Sequence, residues 1–230
     1  MKRIFFSVII AFGLFCFNSL GQNIPLNKYN LKVVDKVEIY KELVENDSAQ
    51  RLVDLKKFIP SIKLDIKYAT NDNFMGEPVY KQKRAFARYP AAVALKKIQA
   101  ELKKKNLGLK IFDGYRPYSV TCRFFEKTRD SVFCAVPWRG SRHNRGCAVD
   151  LTLVNLKTGK ELKMPTPFDD FTPKAHAEYK DLPEDVIKNR ELLKDVMSRH
   201  GFKVLADEWW HYDFAEWNKF ELTDIPFEEL

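Results

Sequence analysis

The sequence predicts an α+β fold in a single domain, with a small, mostly antiparallel sheet flanked by helices. Three observations lead there. Two stretches, 89–106 and 183–201, carry apolar residues at helical spacing, whereas 61–70, 146–154 and 202–217 alternate or run apolar as strands do. These segments interleave without a regular β-α-β rhythm, which disfavours a parallel sheet wound by crossover helices. The length of 230 residues suits one full core, and 45% hydrophobic with 30% charged residues excludes a disordered chain.

At the start, "MKRIFFSVIIAFGLFCFNSLGQ" sets Lys2 and Arg3 before an apolar stretch and then spaces the small residues Ser19 and Gly21 two apart. This is the layout of a secretory leader cleaved after Gly21, and its apolar run is shorter than the roughly 20 residues of a membrane span. Residues 1–21 are expected to be a signal peptide, and the mature chain to be exported, periplasmic or secreted, with no stable membrane span. Lipid anchorage at Cys16, which follows the bulky Phe15, and an uncleaved N-terminal anchor are the alternatives. Loss of Lys2 and Arg3 removes two charges from a formal net charge of +8, and the remaining excess is scattered. No arginine-rich arm or aromatic–basic interleaving marks a nucleic-acid partner.

Residues 22–57 read as a charged lead-in to the main domain at 58–230. In 61–70 the alternation of Ile62, Leu64, Ile66 and Tyr68 predicts a half-buried strand. The helix over 89–106 carries Val93, Leu95, Ile98 and Leu102 on one stripe, opened by Pro90 and closed near Asn106 and Gly108. "LKIFDGYRPYSVTCRFFEKTRD" reads as a short strand, a turn at Asp113 and Gly114, and a helix begun by Pro117, so that Arg116 sits at a strand-to-helix corner. A strand over 146–154 ends in a loop around Thr158 and Gly159, and the proline-rich 164–176 is expected to be irregular and to line a site. The helix over 183–201 starts at Pro183 and is capped by Gly201, and 202–217 should form a hairpin turning at Ala206 and Asp207. Of the mature cysteines, Cys122 and Cys134 could bridge in an oxidising compartment, leaving Cys147 as a buried thiol. No C-x-x-C pair points to a thiolate zinc site.

The chemistry-bearing residues lie in three separate stretches. "SRHNRGCAVDLTL" places His143 and Asp150 before and inside a strand, and "DEWWHYDF" places Glu208 three residues before His211. Two imidazoles and one carboxylate, with a fourth position left for water, make a catalytic zinc site, so His143, Asp150 and His211 are the candidate ligands of one Zn2+. Such an ion lowers the pKa of water from about 15.7 towards about 7. Glu208 is the candidate general base and acid, and Arg116 the candidate donor to the oxyanion. Residues three apart on a strand point to opposite faces, so a bulge or bend must lie between Glu208 and His211 for both to serve one site. Each residue also has a structural reading on its own: Glu208 with His211 as a surface pair beside buried Trp209 and Trp210, and Arg116 in a salt bridge. His200 reads as a cation at a helix C-terminus, His176 as a loop surface residue, and Cys147 as a small buried residue.

Taken together and in this order, D-G-Y-R-P, S-R-H-N-R-G-C-A-V-D-L-T-L and E-W-W-H-Y resemble the signature of the D-alanyl-D-alanine dipeptidases, over roughly residues 58 to 217. The resemblance implies a zinc peptidase fold with His143, Asp150 and His211 on the metal, Glu208 as base, and Arg116 stabilising the transition state. It also implies that Ser141 and Asp169 hold the termini of a small dipeptide substrate, D-Ala-D-Ala, with peptidoglycan fragments as further partners. Rival readings are a carboxypeptidase or endopeptidase on longer wall peptides, and a non-catalytic wall-binding domain, which the presence of both Glu208 and Arg116 disfavours. Two features depart from the family pattern: Pro165 stands where a glycine is expected, and the chain carries an export leader.

Overall fold

The computed structural model describes residues 24–131 and 134–230. The expected signal peptide lies outside the described residues. In chain order the elements are β1 (Val33–Val34), α1 (Val37–Asn46), β2 (Leu52–Asp54), α2 (Leu55–Phe58), β3 (Lys63–Leu64), β4 (Phe86–Arg88) and α3 (Tyr89–Lys103). They continue with β5 (Leu107–Asp113), α4 (Tyr118–Thr128), β6 (Ala148–Asn155), α5 (Glu184–Arg199), β7 (Phe202–Leu205), β8 (Glu208–Phe214) and β9 (Leu222–Thr223). The main sheet has five strands in the order β3-β5-β6-β8-β7, antiparallel except for the β3–β5 pair, with α3 packed on β5 and α5 on β7. This is the α+β class that the interleaved pattern predicts.

The sheet's centre explains its sequence. β6, "AVDLTLVN", is buried along all but its last residue, so it reads as a nearly continuous apolar run instead of alternating. Asp150 and Thr152 are the polar exceptions, and a buried aspartate is costly unless something answers its charge. α3 buries Ala91, Leu95, Ile98 and Leu102 as its spacing predicts, together with Gln99, which accepts from the Leu109 amide at 2.8 Å and donates to Ser61 Oγ at 3.2 Å. Val93, expected on the stripe, is only half-buried.

The lead-in is tied to the far end of the chain, since β1 pairs in parallel with β9 and β2 pairs antiparallel with β4. One expected strand is cut short. Only Lys63 and Leu64 of the 61–70 segment join the sheet, after which Lys67–Ala69 closes a 3-10 turn. Local bonds compete with the ladder there: Thr70 Oγ1 donates to the Lys67 carbonyl at 2.8 Å and Asn73 Nδ2 to the Thr70 carbonyl at 2.6 Å. Ile62, Ile66 and Tyr68 are still buried and Leu64 is half-buried, and Tyr68 lines a cavity.

Candidate active site

Strand register builds the site. In β5, β6 and β8 the residues Asp113, Asp150 and His211 stand directly opposite one another in a row across the sheet. A bulge between Ile111 and Asp113 brings Asp113 into this row. A second irregularity does the work expected between Glu208 and His211: β7 pairs Val204 with Tyr212 but the next residue, Leu205, with Glu208. The chain between them leaves the ladder, and Glu208 Oε2 comes to 3.8 Å from His211 Nδ1. His143 arrives from outside the sheet on a 3-10 turn, His143–Arg145, closed by Gly146 at φ 67°. There a Cβ would meet Leu52 Cδ2 at 2.5 Å and the Arg88 amide nitrogen at 3.2 Å, which with the positive φ favours glycine. Asn144 stitches this turn to the Arg116 corner, donating to the Arg116 carbonyl at 2.9 Å and to Thr121 Oγ1 at 2.8 Å.

The donor atoms of His143, Asp150 and His211 all lie within 4.8 Å of one another, and all three residues are buried. His143 Nε2 is 3.1 Å from His211 Nδ1, which is 3.1 Å from Asp150 Oδ1, and His143 Nε2 is 3.5 Å from Asp150 Oδ2. The outer nitrogens fix the tautomers. His143 Nδ1 donates to the Gly114 carbonyl at 2.7 Å, and His211 Nε2 donates to Asp213 Oδ1 at 2.9 Å. Both inner nitrogens therefore face the Asp150 carboxylate, an arrangement that a cation or a proton between them stabilises. Burial opposes a charge on the His211 ring, yet its bonds to Asp150 and Asp213 outweigh that and raise its pKa to about 10. Burial likewise works against the Asp150 charge, but the two imidazoles hold its carboxyl below the ordinary range. The donor set fits a small, borderline-soft divalent cation.

Arg116 is buried at its strand-to-helix corner and gives Nε and Nη2 to Asp113 Oδ2 at 3.0 and 2.8 Å, with Nη2 3.9 Å from Asp150 Oδ2. Burial disfavours its charge, but Asp113 more than compensates and holds its pKa well above the usual value. Asp113 Oδ1 accepts from Tyr80 Oη and the Gly114 amide, both at 2.9 Å, so every lone pair facing the core is used. Burial pushes the Glu208 carboxyl above the ordinary range, with the His211 charge opposing. Asp169, at φ 62°, takes the Tyr68 hydroxyl at 3.1 and 3.0 Å, and burial, then the Asp150 charge, raises its carboxyl well above normal. Ser141 Oγ accepts from the His143 amide at 3.2 Å. A cavity of about 260 Å3 gathers Arg116, Ser141, His143, Asp150, Asp169, Glu208 and His211.

Sequence reasoning missed Asp113, Tyr68 and Asp213 as parts of this assembly. Asp213 had a signal: in H-Y-D it lies two along a strand from His211 and so on the same face. The sequence pattern places Asp113 only in a turn and Tyr68 only in a strand. Cys122 and Cys134, the pair that could bridge, are not bridged; with Cys147 they are free thiols. Cys122 shares a face of α4 with Tyr118 and packs with Val33 and Leu222, whereas Cys134 lines the cavity. Cys147 is buried as expected, and burial pushes its thiol up to about 12. His200 ends α5 and meets Glu101 Oε2 at 3.1 Å, while the exposed His176 has Asp207 at 3.9 Å.

Fold and site together define an α+β protein with a candidate mononuclear metal centre held on a buried sheet row. The chain belongs to peptidase family M15, whose model, described as D-ala-D-ala dipeptidase, matches residues 48–224. It is 33% identical over 176 residues to the D-alanyl-D-alanine dipeptidase of Escherichia coli K12, covering 76% of this chain and 91% of that protein. The proteins of the same name from Enterococcus faecalis and Streptomyces coelicolor are 33% and 34% identical, each covering 70% of this chain and 90% and 89% of their own lengths. Among solved structures, the LdcB LD-carboxypeptidase aligns with a TM-score of 0.39 and 19% identity over 60% of this chain and 71% of that one.

Proposed function

We propose that this chain is a zinc-dependent D-alanyl-D-alanine dipeptidase that hydrolyses the peptide bond of D-Ala-D-Ala. The observation that carries the proposal is the inward convergence of His143 Nε2, His211 Nδ1 and the Asp150 carboxylate beside Glu208 and Arg116, in a chain whose full-length relatives bear that name. One zinc ion held by His143, Asp150 and His211 would supply Lewis acidity towards the substrate carbonyl and acidify a water at neutral pH.

The protein's own groups supply the rest. Glu208, its carboxyl raised by burial, takes the proton of the attacking water and returns it to the leaving amine. Arg116 is locked by Asp113 through Nε and Nη2, which leaves Nη1 as the donor for the developing oxyanion. Asp169 holds the substrate's ammonium, and Ser141 sits beside the opposite terminus. The cavity of about 260 Å3 is below the roughly 300–1,000 Å3 of common small-molecule pockets, which favours a dipeptide over a long wall peptide. From the leader-like pattern over 1–21 we infer that the work is done outside the cytoplasm, periplasmic or secreted, in salvage or trimming of wall fragments.

The test is release of D-alanine by purified mature protein carrying one equivalent of zinc. D-Ala-D-Ala should be cleaved, and blocking its amine should abolish turnover. Cleavage of an intact stem peptide but not of the dipeptide would instead make the enzyme a carboxypeptidase or endopeptidase, and no cleavage of either would end the proposal.

A further inference from the structure

We infer that Arg142 is a specificity-determining residue that receives the carboxylate of the substrate's C-terminal residue. The inference rests on the dipeptidase reading above and adds to it a second, cationic end to the cavity.

The cavity lining is lopsided in charge. It contains four carboxylates, Asp150, Asp169, Asp207 and Glu208, and two guanidiniums, Arg116 and Arg142. Arg116 is buried and committed to Asp113, with Asp150 at 3.9 Å. Arg142, with 45% of its side chain exposed, is thus the one solvent-accessible arginine or lysine among the described residues of the lining. A zwitterionic dipeptide brings an ammonium and a carboxylate into this space, and the acidic residues answer only the first.

Arg142 is not a loose surface side chain. Its guanidinium lies 4.9 Å from the centre of the Trp217 ring, and its Nε is 3.5 Å from Asp213 Oδ2. The ring contact and this ion pair hold the guanidinium in place, and among the described residues neither terminal nitrogen makes a hydrogen bond, so the two remain as a pair of donors able to take a carboxylate bidentately. Its place is also set relative to the reaction centre. The His211 ring has Glu208 Oε2 at 3.8 Å on its Nδ1 edge and Asp213 Oδ1 at 2.9 Å on its Nε2 edge, with Arg142 behind Asp213. Glu208 and Arg142 therefore lie across the His211 ring from each other, and both face the same cavity. Arg142 directly follows Ser141 and precedes the ligand His143, so the 3-10 turn that sets the metal donor also sets this cation.

A purely structural role is the competing account, in which Arg142 acts only to steady Asp213 and through it His211. The two accounts move different readouts. For carboxylate recognition, Arg142→Gln should raise KM for D-Ala-D-Ala about 10-fold or more while kcat and zinc content stay nearly unchanged, as expected for loss of one charge-assisted contact. Amidation of the substrate's C-terminus should weaken the wild-type enzyme by a similar factor and leave Arg142→Gln indifferent between acid and amide, and Arg142→Lys should recover part of the preference. Loss of zinc or of kcat with KM unchanged would assign the brace instead. An undiminished preference for the acid in Arg142→Gln would place carboxylate recognition elsewhere. Calorimetry of D-Ala-D-Ala on the zinc-loaded Glu208→Ala protein, with and without Arg142→Gln, reads the contact without turnover. Weaker binding with Arg142→Gln there sustains the inference even if the wild type fails to cleave the dipeptide, and equal binding overturns it while leaving the dipeptidase reading intact.

Discussion

Two clusters of this molecule are made from the same ingredients, an imidazole, carboxylates and a guanidinium, and they behave in opposite ways. At the end of α5, His200 and Arg199 share Glu101, with Asp195 on Arg199 as well, and these groups are half-buried or exposed at the surface. At the sheet centre His211 shares Asp150 and Asp213, with His143 and Arg116 close by, and all but Asp213 are buried. The exposed carboxylate of Glu101 is simply paired, and its bonds to Arg199 and His200 lower its pKa to about 2. The buried carboxyls of Glu208 and Asp169 go the other way, raised chiefly by loss of water. Residue types alone do not make a reactive site; removal of solvent around an unbalanced set of them does.

The largest effects should separate the metal donors from the group beside them. His211→Ala is expected to lose both zinc and turnover, because one of three inward donors is gone and the Asp150 carboxylate loses one of its partners. Glu208→Ala should bind zinc as the wild type does but lower kcat by about 100- to 10,000-fold, the range for a missing general base. Metal analysis alongside kinetics checks both, and a metal-free Glu208→Ala protein would make Glu208 a ligand.

Next comes Arg116, where catalysis and stability are joined. Arg116→Ala should lower kcat by about 100- to 1,000-fold with a smaller change in KM. It also leaves Asp113 buried without its counter-ion, at a cost of about 3–5 kcal/mol that a thermal or urea melt would read. Arg116→Lys restores the charge but not the two-point grip, so stability should recover more than kcat does. Equal recovery of both would mean that the guanidinium serves only the ion pair.

A smaller effect is expected behind His211. Asp213→Asn keeps an acceptor for His211 Nε2 but removes the charge, and zinc affinity should fall about 10- to 100-fold in competition with a chelator. Unchanged affinity would show that the Gly114 and Asp213 contacts merely orient the rings.

How much of this could be read in advance follows the same divide. His143, Asp150, Glu208, His211 and Arg116 were legible through the joint occurrence of three motifs in order, and Asp150, a charge inside the apolar run "AVDLTLV", is the clearest single case. The requirement for a bend between Glu208 and His211 also followed from strand period alone, and the shifted register supplies it. Asp113 and Tyr68 were not legible as site residues, since ordinary turn and strand roles accounted for them and the partner of Tyr68 lies 101 residues away, whereas Asp213 was signalled by strand period alone. The 61–70 strand failed for a local reason, the side-chain bonds of Thr70 and Asn73, which apolar alternation does not report.

The smallest effect belongs to the exposed cluster and is the control for the whole comparison. Glu101→Gln should leave D-Ala-D-Ala turnover and zinc content untouched, because neither Glu101 nor its partners Arg199 and His200 line the cavity. Its effect on stability has a defined pH signature. The pKa of Glu101 falls from 4.5 in the free side chain to about 2 in the folded protein, so its ionised form favours folding at any pH above 4.5. As pH drops from 4.5 through about 2, the carboxyl protonates in the folded state too, and that contribution disappears. Because the group is solvent-exposed and screened, the Tm difference between wild type and Glu101→Gln at neutral pH should not exceed about 3 °C, and it should shrink to nothing near pH 2. A difference that stays constant with pH would mean the side chain acts by packing. A loss of activity would couple the end of α5 to the sheet centre and break the contrast between the two clusters.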